Sequence, residues 1–392
     1  MRNIISRLIL LTLVFSPLAP FLFRKVRFWD AQGYLIAMAV LLMYGCSFYL
    51  EPKRKGVKNL SLGILLFWVG VQTAYFDVLS SQVRGHTLYL IPFCCFIVAV
   101  LFYRLCVQYL NKKDIETALR WMYYSGIVTI VFCVLQKFGL SQFLVEAKGV
   151  YHPETDKIFI TGLIGNPVHL SAYLGMCLPL FFGKKILNII SVIAIWGILL
   201  FWTGMSFVPA ISGIVIGIVV SFYYLLQINK KVFAIALAVF LLVCGVGYIN
   251  RSKLHPHTFT DNGRFGVWKK HFELSKDKFV VGNGLGSVAI RAKKTNKSRV
   301  RMDHLHNEFF HFTYELGFLG LMAILFCLWE WFRIKVKKDK TTITIKAIFI
   351  GFLFNCLFLF PAHIWIVSIF AVFLYASLYV IKAEETNYAY SK

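Results

Sequence analysis

Acidic side chains are scarce in this 392-residue chain, where 18 Asp and Glu stand against 42 Lys and Arg for a formal net charge of +24. Charged residues of both signs make up only 15%, while 58% of the chain is hydrophobic and 17% aromatic. With a mean hydropathy of +0.69, that leaves too little polar surface to coat a soluble globule, and the composition is that of a polytopic membrane protein. The Lys and Arg residues sit in short clusters between apolar runs and in one long loop, not on a soluble basic face, so nucleic acid is excluded as a partner.

Cysteine is missing from the long connections. All nine fall inside apolar runs, which excludes a disulfide framework or a zinc-type spacing and leaves small buried hydrophobes. The first segment, MRNIISRLILLTLVFSPLAPFLF, has a basic start and an apolar core but no convincing small-residue cleavage site, so a retained first helix is expected. VGNGLGS (residues 281–287) has the glycines of a phosphate cradle, yet no strand precedes it and no Gly-Lys-Ser/Thr follows; it reads as a tight turn.

What is present is apolar sequence in runs long enough for a bilayer of roughly 30 Å. They lie near residues 4–23, 31–50, 60–79, 87–110, 118–137, 168–183, 186–203, 207–226, 232–249, 308–332, 343–360 and 362–381. The expected fold is all-α, a polytopic integral membrane protein of about 12 transmembrane helices, with helices 1–9 in residues 1–249, a long loop at 250–307, and helices 10–12 with a tail in 308–392. With the N-terminus inside, EPKRKGVKN, NKKDIETALR, GKK, INKK and KVKKDK become cytoplasmic and carry the expected positive excess.

The loop at 250–307 then lies outside, although it holds thirteen Lys or Arg against four acids. Long loops cross despite their charge. Either anionic lipid headgroups or an anionic ligand such as a pyrophosphate explains the basic surface. Within it, Phe265, Trp268, Phe272 and Leu274 recur at a helix-like spacing, which predicts a short amphipathic helix at the interface with Trp268 as its anchor.

Ionisable groups gather where that loop meets the next helix, in HLHNEFFHFTYELGFLGL (residues 304–321). Glu308, His311 and Glu315 share a helical face, and Glu-x-x-His is half of a di-iron carboxylate pattern. A second pair is missing, so hydrogen bonding among helices is the plainer account and no metal is expected. His306 lies at the loop–helix junction, where an imidazole can take a proton from an attacking hydroxyl; capping or packing is the structural alternative. Gly317 and Gly320 are expected to let another helix approach closely.

His306 and Asn307, followed after nine residues by Gly317 and then Gly320, resemble the signature of the O-antigen ligase family. LIGNPVHLSAYLGMCLPL (residues 163–180) is similar to the family's Gly-Asn-Pro stretch, and GRFGVW (residues 263–268) with VGNGLGS to its Arg-led periplasmic segment and glycine turn. In motifs the likeness covers roughly residues 160–325.

The resemblance implies a GT-C-like membrane glycosyltransferase in the bacterial inner membrane, acting on the periplasmic side without metal or cofactor. It takes a glycan from undecaprenyl pyrophosphate and attaches it, with inversion, to a hydroxyl of the lipid A core; in polymerases of the group the acceptor is another lipid-linked repeat. His306 would be the general base and Arg264 the pyrophosphate's partner. Asn307, Asn166, Arg291 and Arg301 complete the expected substrate-binding set, with Arg299 a further cation. One position departs from the pattern: Ser206 is followed by Phe207 where the family often carries arginine. A transporter or flippase would place ionisable groups near mid-membrane, which this chain does not clearly do. A scaffold would leave the basic loop and His306 without a purpose.

Overall fold

The computed structural model describes residues 2–15, 28–50, 52, 59–84, 90–140, 150–152, 157–162, 167–183, 185–202, 209–249, 264–288, 305–359, 361–363 and 365–390. In chain order its helices are α1 (Arg2–Phe15), α2 (Phe28–Ser47), α3 (Leu60–Arg84), α4 (Leu90–Tyr109), α5 (Lys112–Lys137), α6 (Pro167–Phe181), α7 (Ile186–Gly197), α8 (Pro209–Ile228), α9 (Lys230–Ile249), α10 (Arg264–Ser275), α11 (Glu308–Phe332), α12 (Lys340–Phe358) and α13 (Trp365–Tyr390). After α5 comes a small antiparallel hairpin, β1 (Val150–His152) with β2 (Lys157–Phe159), in which Tyr151 faces Ile158.

Every apolar run is occupied by a helix, and α10 lies in the long loop. Among the described residues, 112–137, 308–332, 340–357 and 367–386 are long and apolar enough to cross a membrane, and seven shorter apolar helices accompany them. The architecture is the all-α, multi-pass one that the composition demands.

α6 is central. It is apolar on all sides, and nearly every residue from His169 to Phe181 is buried, as befits a helix surrounded by others. Its backbone touches that of α8: a Cβ built on Gly175 would lie 2.7 Å from the Gly213 carbonyl oxygen, and one on Gly213 would lie 2.6 Å from Ser171. Small residues permit such contact, and close packing holds helices together where lipid removes the hydrophobic force between them.

One end of the bundle is tied by polar caps. Asn111 and Asp114 form a reciprocal capping box at the start of α5. The adjacent Lys112 N–H donates to Glu384 (3.1 Å), and the Lys112 ammonium pairs with Asp339, which itself caps α12 through Thr342 N (2.8 Å). The starts of α5 and α12 and the end of α13 therefore meet here. By connectivity the start of α11, the end of α12 and the start of α13 lie at the opposite end, where the ionisable cluster is found.

Candidate functional site at the start of α11

Glycine shapes this end. Gly317 interrupts α11 with φ +72° and ψ −177°, so the carbonyls before it and the N–H groups after it lose their helical partners. An unsatisfied backbone group in a membrane costs several kcal/mol, about the energy of a whole hydrogen bond or more. The turn through residues 279–284 supplies the replacements. Asn283 N and Nδ2 donate to Tyr314 O (3.0 and 3.1 Å), and Gly284 N donates to Glu315 O (2.9 Å). In return Phe318 N and Leu319 N donate to Phe279 O (2.8 Å) and Val280 O (3.2 Å). Trp68 of α3 donates its indole N–H to Leu316 O (2.8 Å), completing the repair.

VGNGLGS is thus a tight turn, as expected, and its function here is to splice a broken helix. Gly317 accordingly admits backbone of this turn, where a neighbouring helix was expected; on the Gly320 side it is Trp68 that comes near, its Nε1 lying 3.3 Å from where a Cβ would be.

His306 stands just before the helix at φ +52°, the one non-glycine residue with positive φ among those described. A side chain held there costs about 1–3 kcal/mol and persists only where the surroundings over-determine it. Both neighbours are pinned. Leu305 is buried, its carbonyl accepts from Trp268 Nε1 (2.6 Å), and its N–H points at His311 Nδ1 (3.5 Å). Asn307 caps α11, its Oδ1 accepting from Phe310 N (3.0 Å), while its Nδ2 donates to Leu357 O (3.0 Å) at the end of α12. Burial, then the positive charge of Arg264, pushes the His306 imidazole down to about 4, so that it is neutral at pH 7. His169, in the first turn of the central α6, couples electrostatically with it.

Arg264 opens α10. That helix forms as its spacing predicts, and Val267 joins Val288, Leu305 and Tyr314 in a small apolar cluster. Trp268 turns in as well, its ring 5.1 Å from that of Phe310. Phe265 and Phe272 are 66% and 57% exposed and form the outer face. Trp268 therefore fixes the junction from within instead of anchoring the loop in lipid.

Beside this junction lie two acid–imidazole pairs, one buried and one half-buried on its imidazole side. His311 Nε2 is 3.1 Å from Glu315 Oε1, and His363 Nδ1, from the turn at Pro361–His363, is 3.1 Å from Glu308 Oε2. The shared helical face of Glu308, His311 and Glu315 is as expected, and the fourth member comes from 48 or more positions along the chain, where no local spacing could announce it. An apolar cavity of about 500 Å³ between α4, α11, α12 and α13 has His311, Glu315 and His363 on its wall, with Phe312, Phe352 and Tyr375 among its apolar lining. It is adjacent to the junction; neither His306 nor Arg264 lines it.

Of the residues singled out in the sequence, His306 and Arg264 interact electrostatically, while Asn307 has both ends of its amide engaged within the protein. Asn166, Arg291, Arg299, Arg301 and Phe207 lie outside the described residues. His169 and His363 were not expected to take part. The Asn–Pro motif that precedes His169 was a usable signal; for His363 there was none.

These features define a multi-pass membrane protein with a neutral imidazole and a guanidinium at the splice between a loop helix and a broken span. Residues 161–325 match the family model described as O-antigen ligase, so this stretch of the chain is similar to that family. Its limits agree closely with the 160–325 over which the motifs were read. No curated protein matches the chain. The similarity points to glycosyl transfer of the ligase or polymerase kind.

Proposed function

We propose that the chain transfers a glycan from undecaprenyl pyrophosphate to an acceptor hydroxyl at the periplasmic face of the bacterial inner membrane, as an O-antigen ligase acting on the lipid A core. The observation that carries this reading is a single arrangement: a neutral His306, held in a strained backbone at the loop–helix junction and feeling the positive charge of Arg264.

In the reaction, His306 takes the proton of the acceptor hydroxyl as its oxygen attacks the anomeric carbon. The bond from that carbon to the diphosphate oxygen breaks, and its electron pair leaves with the polyprenyl diphosphate. Arg264 stabilises the negative charge that grows on the leaving oxygen, with two parallel N–H donors where a metal ion would otherwise act. Attack opposite the leaving group inverts the sugar. Phe207 stands where relatives often have arginine, so Arg291, Arg299 or Arg301 of the basic loop takes over that cation's part.

A polymerase would use the same donor chemistry with another lipid-linked repeat as acceptor, and the His306-to-Gly320 spacing favours the ligase. Deleting the gene in its host distinguishes them. Loss of a ligase leaves long polymer on the carrier lipid and bare core; loss of a polymerase leaves core capped by one repeat. Unchanged profiles of surface and lipid-linked glycans overturn both.

A further inference from the structure

We propose that Glu308, His311 and His363 form a binding site for a divalent transition-metal ion of the zinc type, distinct from the transfer centre. One Glu308 oxygen and one nitrogen from each ring lie within 4.8 Å of one another. The two imidazole rings are 4.4 Å apart, centre to centre. A tetrahedral zinc with bonds of about 2.0–2.1 Å separates its ligand atoms by about 3.4 Å, so the three groups need to close by roughly 1 Å. Two rings and a carboxylate are zinc-type ligands; magnesium and calcium prefer oxygen alone.

The surroundings fit a metal in three further ways. First, Glu308 is 2% exposed, yet its Oε2 makes no hydrogen bond. Ala362 N donates to Oε1 (2.7 Å), and His363 Nδ1 sits astride the carboxylate, 3.2 Å from Oε1 and 3.1 Å from Oε2. One ring nitrogen is thus shared between both oxygens, and a cation would add the charge compensation that a buried carboxylate needs.

Second, Glu315 already holds His311 as a metal-bound imidazole is held. Its Oε1 faces His311 Nε2 at 3.1 Å and also accepts from Val288 N at 3.3 Å. A carboxylate on one ring nitrogen orients the other toward a metal and raises its basicity. That other nitrogen, Nδ1, faces Leu305 N at 3.5 Å, a long contact that a metal bond would replace.

Third, the charges close: a divalent ion with two neutral imidazoles is balanced by the carboxylates of Glu308 and Glu315. The ion would clasp the first turn of α11, directly after His306, to the turn between α12 and α13. Its remaining position would face the cavity that His311 and His363 line.

This inference does not rest on the glycosyl-transfer reading, and its test reads metal directly. The full chain is purified in detergent without chelator, and its zinc is measured by mass spectrometry. It is then stripped and titrated with cobalt(II) alone. About one zinc per chain is expected, with cobalt giving the visible bands of a four-coordinate ion that one equivalent of zinc displaces. Glu308→Gln and His363→Gln should each weaken cobalt binding at least about tenfold. His363→Cys, which keeps a ligand, should retain the ion and add a sulfur-to-cobalt charge-transfer band. His306→Ala should keep the metal although transfer is lost. A stripped wild-type chain that binds no cobalt, or His363→Gln binding it as wild type does, overturns the proposal.

Discussion

Gly282 and Gly317 face each other backbone to backbone: a Cβ on Gly282 would lie 2.3 Å from Glu315 O, and one on Gly317 would lie 2.3 Å from Val280 O. Both have positive φ, +83° and +72°. Each therefore has two reasons to be glycine, since a side chain would be strained in its own backbone and would push the splice apart. Gly317→Ala and Gly282→Ala should each destabilise the protein by about 2 kcal/mol or more. Gly266, with nothing within 4 Å of its Cβ position, is the control. Thermal unfolding in detergent checks this; equal melting of all three variants would show that the splice does not bear on stability.

Trp68 tests the same splice from another side. Its indole N–H satisfies Leu316 O, a carbonyl that has no helical partner because α11 breaks one residue later. Trp68→Phe keeps a large ring and removes the donor, leaving a buried acceptor bare at a cost of about 1–3 kcal/mol. Trp121→Phe, at a ring 46% exposed, should change stability by less than about 0.5 kcal/mol.

The helices were legible because each is a long apolar run, and that property is local. The turn at residues 281–287 was legible as a turn for the same reason. Its docking partner was not: two glycines three apart in an apolar helix read as a helix-contact motif, and only the fold reveals that Gly317 meets Gly282. His363 likewise shows nothing in its own neighbourhood of its pairing with Glu308. The pairing of Arg264 with His306 as site candidates came from motif order in a family resemblance, since no spacing in this chain relates residues 264 and 306. The inward turn of Trp268 was not legible, because aromatic periodicity marks an apolar stripe without saying which of its rings protein covers.

Asn307 illustrates a signal that was there and passed over. An asparagine directly before an apolar helical run is a cap by position, and the structure has it capping α11 and bonding across to α12. Asn307→Asp keeps the cap but sets a carboxylate oxygen against Leu357 O where a donor stood. Asn307→Ala loses both bonds. We expect Asn307→Ala to cost about 1–2 kcal/mol and Asn307→Asp to cost no less, because repulsion between two buried acceptors offsets the better cap. Melting temperatures of the pair decide it, and an Asp variant as stable as wild type would mean that the bond to Leu357 is dispensable.

Arg264 separates charge from geometry. If it holds the diphosphate with two N–H donors, Arg264→Lys keeps the charge and loses the fork, whereas Arg264→Ala loses both. Donor KM should rise in Arg264→Lys and further in Arg264→Ala, with kcat falling in both as the leaving oxygen loses its partner. Wild-type kinetics in both variants would reassign Arg264 to the membrane surface.

His306 carries a signature that separates function from packing. A residue kept at φ +52° for its imidazole alone is a local strain that glycine would relieve. His306→Gly should therefore unfold no more easily than wild type, and up to about 1 kcal/mol less easily, because relief of the strained φ offsets the lost side-chain contacts. Transfer by the same variant should fall by roughly a hundredfold or more, since the proposed acceptor of the hydroxyl proton is gone. His306→Ala should lose transfer equally and gain no stability, because alanine keeps the unfavourable φ. Unfolding curves and glycan transfer measured on the same two preparations give the answer. If His306→Gly melts well below wild type and below His306→Ala, the imidazole is a packing group; if it transfers normally, the proton goes elsewhere.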